Sequence, residues 1–360
     1  MKRCSNCILP ENYPGVTFNE KDVCNYCLTH KKAKNLGRAK LLNLIEPYRN
    51  RDRKYDCIVG ISGGRDSAFA AYYAVRVLNL RVLAYTGDNG FMPEQTKENI
   101  ENIVALLSID HVIEKYDLKE NARHIISSWV HKPSPAMIGF LCAGCTTGMR
   151  RGLVKTAQNN KIPLVIIGSG EPGQPFAVKL LSIPTNSKRK KLSLILGFAM
   201  EMIRNPYYLS PSCSIAFARE FFYRFVHKPD LTFMPIFRFT EWNEKKILSV
   251  IKNELQWKNP PHSRSTWRSD CKIHLLRQYL YLETLGFTKN DGILSGMIRE
   301  NMITREEALK RLENENLIPR QSLTALFDEL GLNFSDLVSA LREYKKTTRN
   351  TNILDDGDFR

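Results

Sequence analysis

An apolar run, Cys57-Ile58-Val59-Gly60-Ile61, passes directly into Ser62-Gly63-Gly64-Arg65-Asp66-Ser67 and then into a helical stretch beginning at Ala68. No other feature restricts the fold as strongly. A buried strand that ends in two glycines and continues as a helix turns sharply. It gathers backbone N–H groups and aims the positive end of the helix dipole at one point. Gly-Gly by itself is compatible with an ordinary tight turn. The whole hexamer favours an anion cradle, because Ser62 and Ser67 add hydroxyl donors and Asp66 adds a carboxylate suited to hydrated magnesium. The missing Gly-Lys-Ser/Thr ending disfavours a Walker-type loop.

The rest of the chain continues an α/β rhythm. After the hexamer come a helix to about Leu78, a strand over Arg81 to Thr86, a helix over Thr96 to Leu107 and a short strand near His111 to Glu114. A helix over Thr146 to Asn159 precedes another buried-strand candidate, Pro163 to Gly168. The expected fold class is α/β, a doubly wound parallel sheet. The expected division is a cysteine module over 1–35, a helical connector over 36–54, a nucleotide domain over 55–240 with an insertion at about 180–230, a helical region over 241–345 and a disordered tail over 346–360. The insertion opens on Lys188-Arg189-Lys190-Lys191 and ends in Phe221-Phe222-Tyr223-Arg224-Phe225; it reads as a helical lid in preference to a membrane-surface segment. Thr304-Arg305-Glu306-Glu307 supplies a helix-capping pattern.

With 360 residues, 43% of them hydrophobic, the chain can bury a large core. Neither a signal peptide nor a membrane span is legible, so a cytoplasmic location is expected. The net charge of +16 favours an anionic partner without separating nucleic acid, membrane headgroups and phosphorylated small molecules.

Nine cysteines, several in Cys-x-x-Cys pairs, point to metal or redox chemistry more than to disulfides. Cys4, Cys7, Cys24 and Cys27 set two pairs across a sixteen-residue gap, as in a structural zinc site. Cys142 and Cys145 precede a basic helix containing Arg150 and Arg151, and a helix start would favour thiolate. With Cys271 they make a three-cysteine set suited to a second metal or to an iron–sulfur cluster with one open iron. Cys57 and Cys213 read as packing residues.

The hexamer resembles the SGGxDS signature of the PP-loop ATP pyrophosphatases. The chain as a whole resembles the N-acetyl sugar amidotransferase family of bacterial surface-polysaccharide and nonulosonic-acid biosynthesis. Four segments carry this: Cys4 to Cys27; Ser62 to Ser67; Asp88-Asn89-Gly90-Phe91 with Asn99-Ile100; and Ser269-Asp270-Cys271 through Gly286-Phe287-Thr288-Lys289 to Ile298-Arg299 and Thr304 to Leu309. The resemblance implies a PP-loop (HUP-like) fold with a zinc-ribbon-like module and a helical C-terminal region.

It further implies that Ser62, Gly63, Gly64, Arg65, Asp66 and Ser67 hold ATP and magnesium, with Asp66, Ser67, Cys142 and Cys145 catalytic. Asp88 to Phe91, with Asp88 and Gly90 as the site residues, would approach the adenosine, Asn99 would also belong to the nucleotide site, and Gly168 and Glu171 would border the nucleotide. The implied reaction is adenylylation of the acetamido oxygen of an N-acetyl sugar nucleotide and its replacement by ammonia, in lipopolysaccharide or O-antigen synthesis. Ammonia would come from a separate glutamine-hydrolysing subunit with a cyclase-like channelling subunit. The alternative is a tRNA thiolase with a [4Fe-4S] cluster or a persulfide on Cys142, Cys145 and Cys271.

Overall fold

The computed structural model describes residues 1–32, 35–49, 52–116, 118–134, 137–168, 199–209, 230–261, 263–267 and 269–348. At its centre, five parallel strands, β1 (Cys57–Gly60), β2 (Val82–Asp88), β3 (Asp110–Lys115), β4 (Leu164–Ile167) and β5 (Thr232–Pro235), lie in the order β3-β2-β1-β4-β5. The three inner strands are buried along nearly their whole length, as a sheet covered on both faces requires.

Alternation along the strands sorts their side chains into two layers. Cys57, Val59, Val82, Ala84, Leu164 and Ile166 join the core beneath helices α1 (Arg38–Ile45), α2 (Arg65–Tyr72), α3 (Glu94–Leu107) and α6 (Glu244–Leu255). Ile58, Leu83, Tyr85 and Val165 face Leu153 and Ala157 of α5 (Met137–Asn159) on the opposite side. The sheet is therefore doubly wound. The chain runs from β1 outward to β2 and β3, then returns to place β4 on the other flank of β1. A crevice consequently opens between the carboxyl ends of β1 and β4, where ligands collect in such sheets.

Strand β5 follows the insertion and was not anticipated from the sequence. It pairs with β4 from Leu164↔Thr232 to Ile167↔Pro235, and its terminal proline suits an edge strand. The described part of the insertion, 199–209, docks on α4 (Lys119–His131) and the turn after it. Ser134 Oγ donates to Glu201, and Asn205 Nδ2 donates to the Ser128 carbonyl at 2.9 Å. The Lys188–Lys191 and Phe221–Phe225 runs, Cys213 and residues 349–360 of the tail lie outside the described residues, whereas 346–348 continue α11.

The C-terminal helices α7 (Ile273–Leu285), α8 (Lys289–Arg299), α9 (Arg305–Glu315), α10 (Arg320–Glu329) and α11 (Phe334–Thr348) pack with the cysteine module. Cys4, Cys7, Leu9 and Tyr13 share one core with Leu276, Leu280, Phe287, Phe327 and Leu337. Thr304 caps α9 by accepting from the Glu307 amide at 3.1 Å. No described helix is long and apolar enough to cross a membrane.

Candidate active site

The loop after β1 is closed by its own serines. Ser67 Oγ accepts from the Ser62 amide at 3.1 Å, donates to the Gly64 carbonyl at 3.0 Å and lies 3.2 Å from Ser62 Oγ. Gly63 has φ +74°, and a Cβ there would sit 2.6 Å from both Cγ2 and the carbonyl oxygen of Thr96, so only glycine fits. Gly168, at the end of β4, needs its missing side chain for a different reason: a Cβ would stand 2.2 Å from the Asp66 carbonyl oxygen. The end of β4 thus presses against the first turn of α2, bringing the two expected nucleotide segments together. Glu171 lies outside the described residues.

Trp257 buttresses the loop from below, its indole N–H donating to the Gly63 carbonyl at 2.8 Å. Asn99 holds that buttress. Its amide nitrogen donates to the Lys258 carbonyl at 2.7 Å and its oxygen accepts from the Lys258 amide at 2.9 Å. With both ends of its side chain so engaged, Asn99 supports the loop, a role other than the direct nucleotide contact expected of it. Trp257→Phe should cost about 1–3 kcal/mol, because a buried carbonyl loses its donor. Thermal unfolding, together with weakened binding of an ATP analogue, would measure this.

Arg65 departs from the role of a phosphate cation. It is 2% exposed and its guanidinium lies 4.1 Å from the ring centre of Trp267 and 5.0 Å from that of Trp242. Its nitrogens donate to Asp66 Oδ1 at 2.9 Å, Glu244 Oε1 at 2.6 Å and Thr266 Oγ1 at 2.7 Å. Burial alone would raise Glu244, but Arg65 and Arg311 together hold it below the usual carboxylate range. Asp66 is drawn into this network: Arg65 reaches both its oxygens, and the Trp242 indole donates to Oδ1 at 3.4 Å. Arg150 is also turned away, its guanidinium 5.1 Å from the Phe233 ring centre.

After β2, Asp88 Oδ1 accepts from the Gly90 amide at 2.9 Å and Asn89 Oδ1 accepts from the Phe91 amide at 2.9 Å, folding the expected turn. Gly90 takes φ +81°. The Asn89 amide nitrogen then points across the crevice, 3.3 Å from Cys145 Sγ and 3.6 Å from Cys271 Sγ. Residues 56 and 182 positions away are so brought together.

Cys142 and Cys145 lie in the second and third turns of α5, not at a helix start, because α5 begins at Met137. The thiolate-favouring helix end is therefore absent. Burial raises Cys145 against the opposing Asn89 hydrogen bond, and burial followed by the Asp270 charge pushes Cys271 up to about 12. Beside them stands Arg277, kept charged against burial by Cys142 and Tyr281; its Nε is buried and has no described partner. Cys57 is buried in β1 and its thiol is raised by burial.

Only Cys4, Cys7, Cys24 and Cys27 form a metal-holding group among the described residues, their sulfurs all within 4.8 Å of one another. Cys4–Cys27 and Cys7–Cys24 separations of 3.9 and 3.7 Å match the roughly 3.8 Å edge of a tetrahedron of sulfurs around one zinc-sized ion. The amides of Cys7 and Cys24 donate to Cys4 Sγ at 3.4 and 3.2 Å, and Arg299 approaches Cys7 Sγ at 3.8 Å, all favourable to thiolates. Arg305 Nε clasps the Cys7 carbonyl at 3.0 Å. As placed here, the Cys142, Cys145 and Cys271 set is more open than a single-ion site.

The NAD synthase family profile matches residues 38–172, which hold the loop and strands β1 to β4. The chain has a PP-loop, NAD synthase-like fold. Over 332 residues it is 20% identical to "Uncharacterized protein MJ1599" of Methanocaldococcus jannaschii, spanning 91% of this chain and 97% of that protein. Among solved structures, NMN synthetase from Francisella tularensis aligns with TM-score 0.35 and 14% identity over 73% of this chain and 91% of that one. The U34-tRNA thiolase NcsA from Methanococcus maripaludis, solved with its [4Fe-4S] cluster, aligns with TM-score 0.34 and 14% identity over 87% and 89%.

Sequence reasoning did not mark Asp270, Trp257, Trp242, Trp267, Glu244 or Arg277 as site residues. The one local signal was the Ser269-Asp270-Cys271 run beside a thiol already under suspicion.

Proposed function

We propose that the protein is an AMP-forming, ATP-dependent amidotransferase acting on the acetamido group of an N-acetyl sugar nucleotide. The observation that carries this reading is the convergence of the four resembling segments. Ser62–Ser67, Asp88–Phe91 and Ser269–Cys271 meet around one crevice, where the Lys272 amide donates to the Phe91 carbonyl at 2.9 Å. The Cys4–Cys27 segment packs on Arg299 and Arg305 of the fourth.

In this reading the loop amides and the α2 N-terminus bind the leaving phosphates. The acetamido oxygen attacks the α-phosphorus, pyrophosphate leaves, and ammonia then displaces AMP from the adenylylated imidate to give an acetamidino group. Bound magnesium would neutralise phosphate charge. Zinc on Cys4, Cys7, Cys24 and Cys27 is structural, since four sulfurs leave no open position. Ammonia is supplied by a glutamine-hydrolysing partner with a channelling subunit, and the synthesis served is that of a surface polysaccharide.

Pyrophosphate release should rise on adding an acetamido sugar nucleotide and ammonium chloride, stay unchanged with tRNA, and yield a product one dalton lighter. Release of ADP, or no response to any acetamido sugar, would defeat the reading. The three thiols beside the loop favour a second one, sulfur transfer to a tRNA base through a cluster or persulfide on Cys142, Cys145 and Cys271. That reading requires a visible chromophore or sulfane sulfur after anaerobic purification and a tRNA product sixteen daltons heavier.

A further inference from the structure

A second carboxylate, that of Asp270, stands at the crevice beside the phosphate loop. Asp270 Oδ2 lies 3.4 Å from the point where a Cβ on Gly64 would stand, so the carboxylate overhangs the residue that caps α2. It has neither a hydrogen bond nor an ion pair among the described residues. Among the described residues, Lys272 is engaged with Glu329 at 2.8 Å and Arg65 with Asp66, Glu244 and Thr266, while Arg277 faces the three thiols and forms no ion pair with Asp270. An unpaired carboxylate facing a phosphate cradle repels the ligand the cradle is built for, unless a cation lies between them.

The carboxylate expected from the sequence to hold that cation is Asp66. Both of its oxygens are engaged by Arg65, and one also accepts from Trp242. A hard divalent cation needs free oxygen ligands. On the nucleotide-binding reading above, we propose that Asp270, and not Asp66, is the protein carboxylate that holds magnesium against the triphosphate. Asp66 is a positioning residue that fixes Arg65 and the first turn of α2. The same placement sets a negative charge next to Cys271 and Cys145, whose thiols it helps to keep protonated when no cation is bound.

The test is calorimetric binding of α,β-methylene-ATP, which resists cleavage at the α–β bridge, to the full-length protein with and without magnesium. It is paired with electron paramagnetic resonance of manganese in the ternary complex. Wild-type protein should bind about tenfold tighter with magnesium. Asp270→Asn should remove that gain, leave metal-free affinity equal or stronger, and release the manganese signal. Asp66→Asn should weaken binding overall while keeping the gain. Asp270→Glu should restore part of the gain, which a misfolded variant would not do.

The inference is overturned if Asp270→Asn keeps the magnesium-dependent gain, if Asp66→Asn alone abolishes it, or if wild-type affinity is the same with and without magnesium. Wild-type protein that binds no nucleotide under either condition overturns the proposed function itself, and this inference with it.

Discussion

Cys24→Ser should release one bound metal ion per chain and unseat the first thirty residues. Cys24 is fully buried, 3.7 Å from Cys7 Sγ, and its amide donates to Cys4 Sγ. Metal binding in small cysteine modules contributes on the order of 10–16 kcal/mol, and that energy is folding energy for the module. Here the module does not stand apart. Its buried residues share a core with α7, α10 and α11, and Arg3 pairs with the buried Asp291 at 2.6 Å. Loss of the metal should therefore reach the C-terminal helices, with a drop in Tm above about 10 °C and protease cleavage between the module and α1. Metal content by mass spectrometry with limited proteolysis would check this. A variant that keeps its metal and its protection would contradict the assignment.

Arg65→Met is expected to destabilise the protein by about 3–5 kcal/mol, because breaking a buried pair from one side leaves uncompensated charge behind. Asp66 would lose its cation, Glu244 would be left with Arg311 alone, and Trp242 and Trp267 would both lose the guanidinium packed against them. Arg65→Lys should recover only part of the loss, since an ammonium keeps the charge without the planar multi-donor geometry. The same variants should weaken nucleotide binding, because Asp66 follows Arg65 in the first turn of α2. Thermal unfolding and ATP-analogue affinity measure the two effects. If stability were unchanged while nucleotide affinity collapsed, Arg65 would be a ligand contact after all.

Much of the fold was legible because its signals are local. The apolar run into Ser62–Ser67 specifies a strand, a sharp turn and a helix within a dozen residues, and the alternation of Val82, Leu83, Ala84 and Tyr85 serves both faces of one sheet. The misread elements share a cause. The helix expected over Thr146 to Asn159 starts instead at Met137 and runs through Gly139 and Gly144. A glycine inside a helix costs only about 1 kcal/mol, which tertiary packing readily offsets. β5 has four residues and ends in proline, too short a pattern to stand out until β4 supplies its partner.

What this sequence determines by itself is the phosphate-type turn, the α/β class and the four-cysteine module, since the turn and the module rest on residue spacing within short stretches and the class on the alternation of strand and helix patterns along the chain. Which residues face the crevice was decided only by the tertiary structure. Arg65 meets Glu244 and Thr266 across 179 and 201 positions, and Asn89 meets Cys271 across 182. Side chains of one type are interchangeable in a linear pattern; the close approach of distant backbone segments determines which arginine is locked away, which asparagine is saturated and which carboxylate is left without a partner.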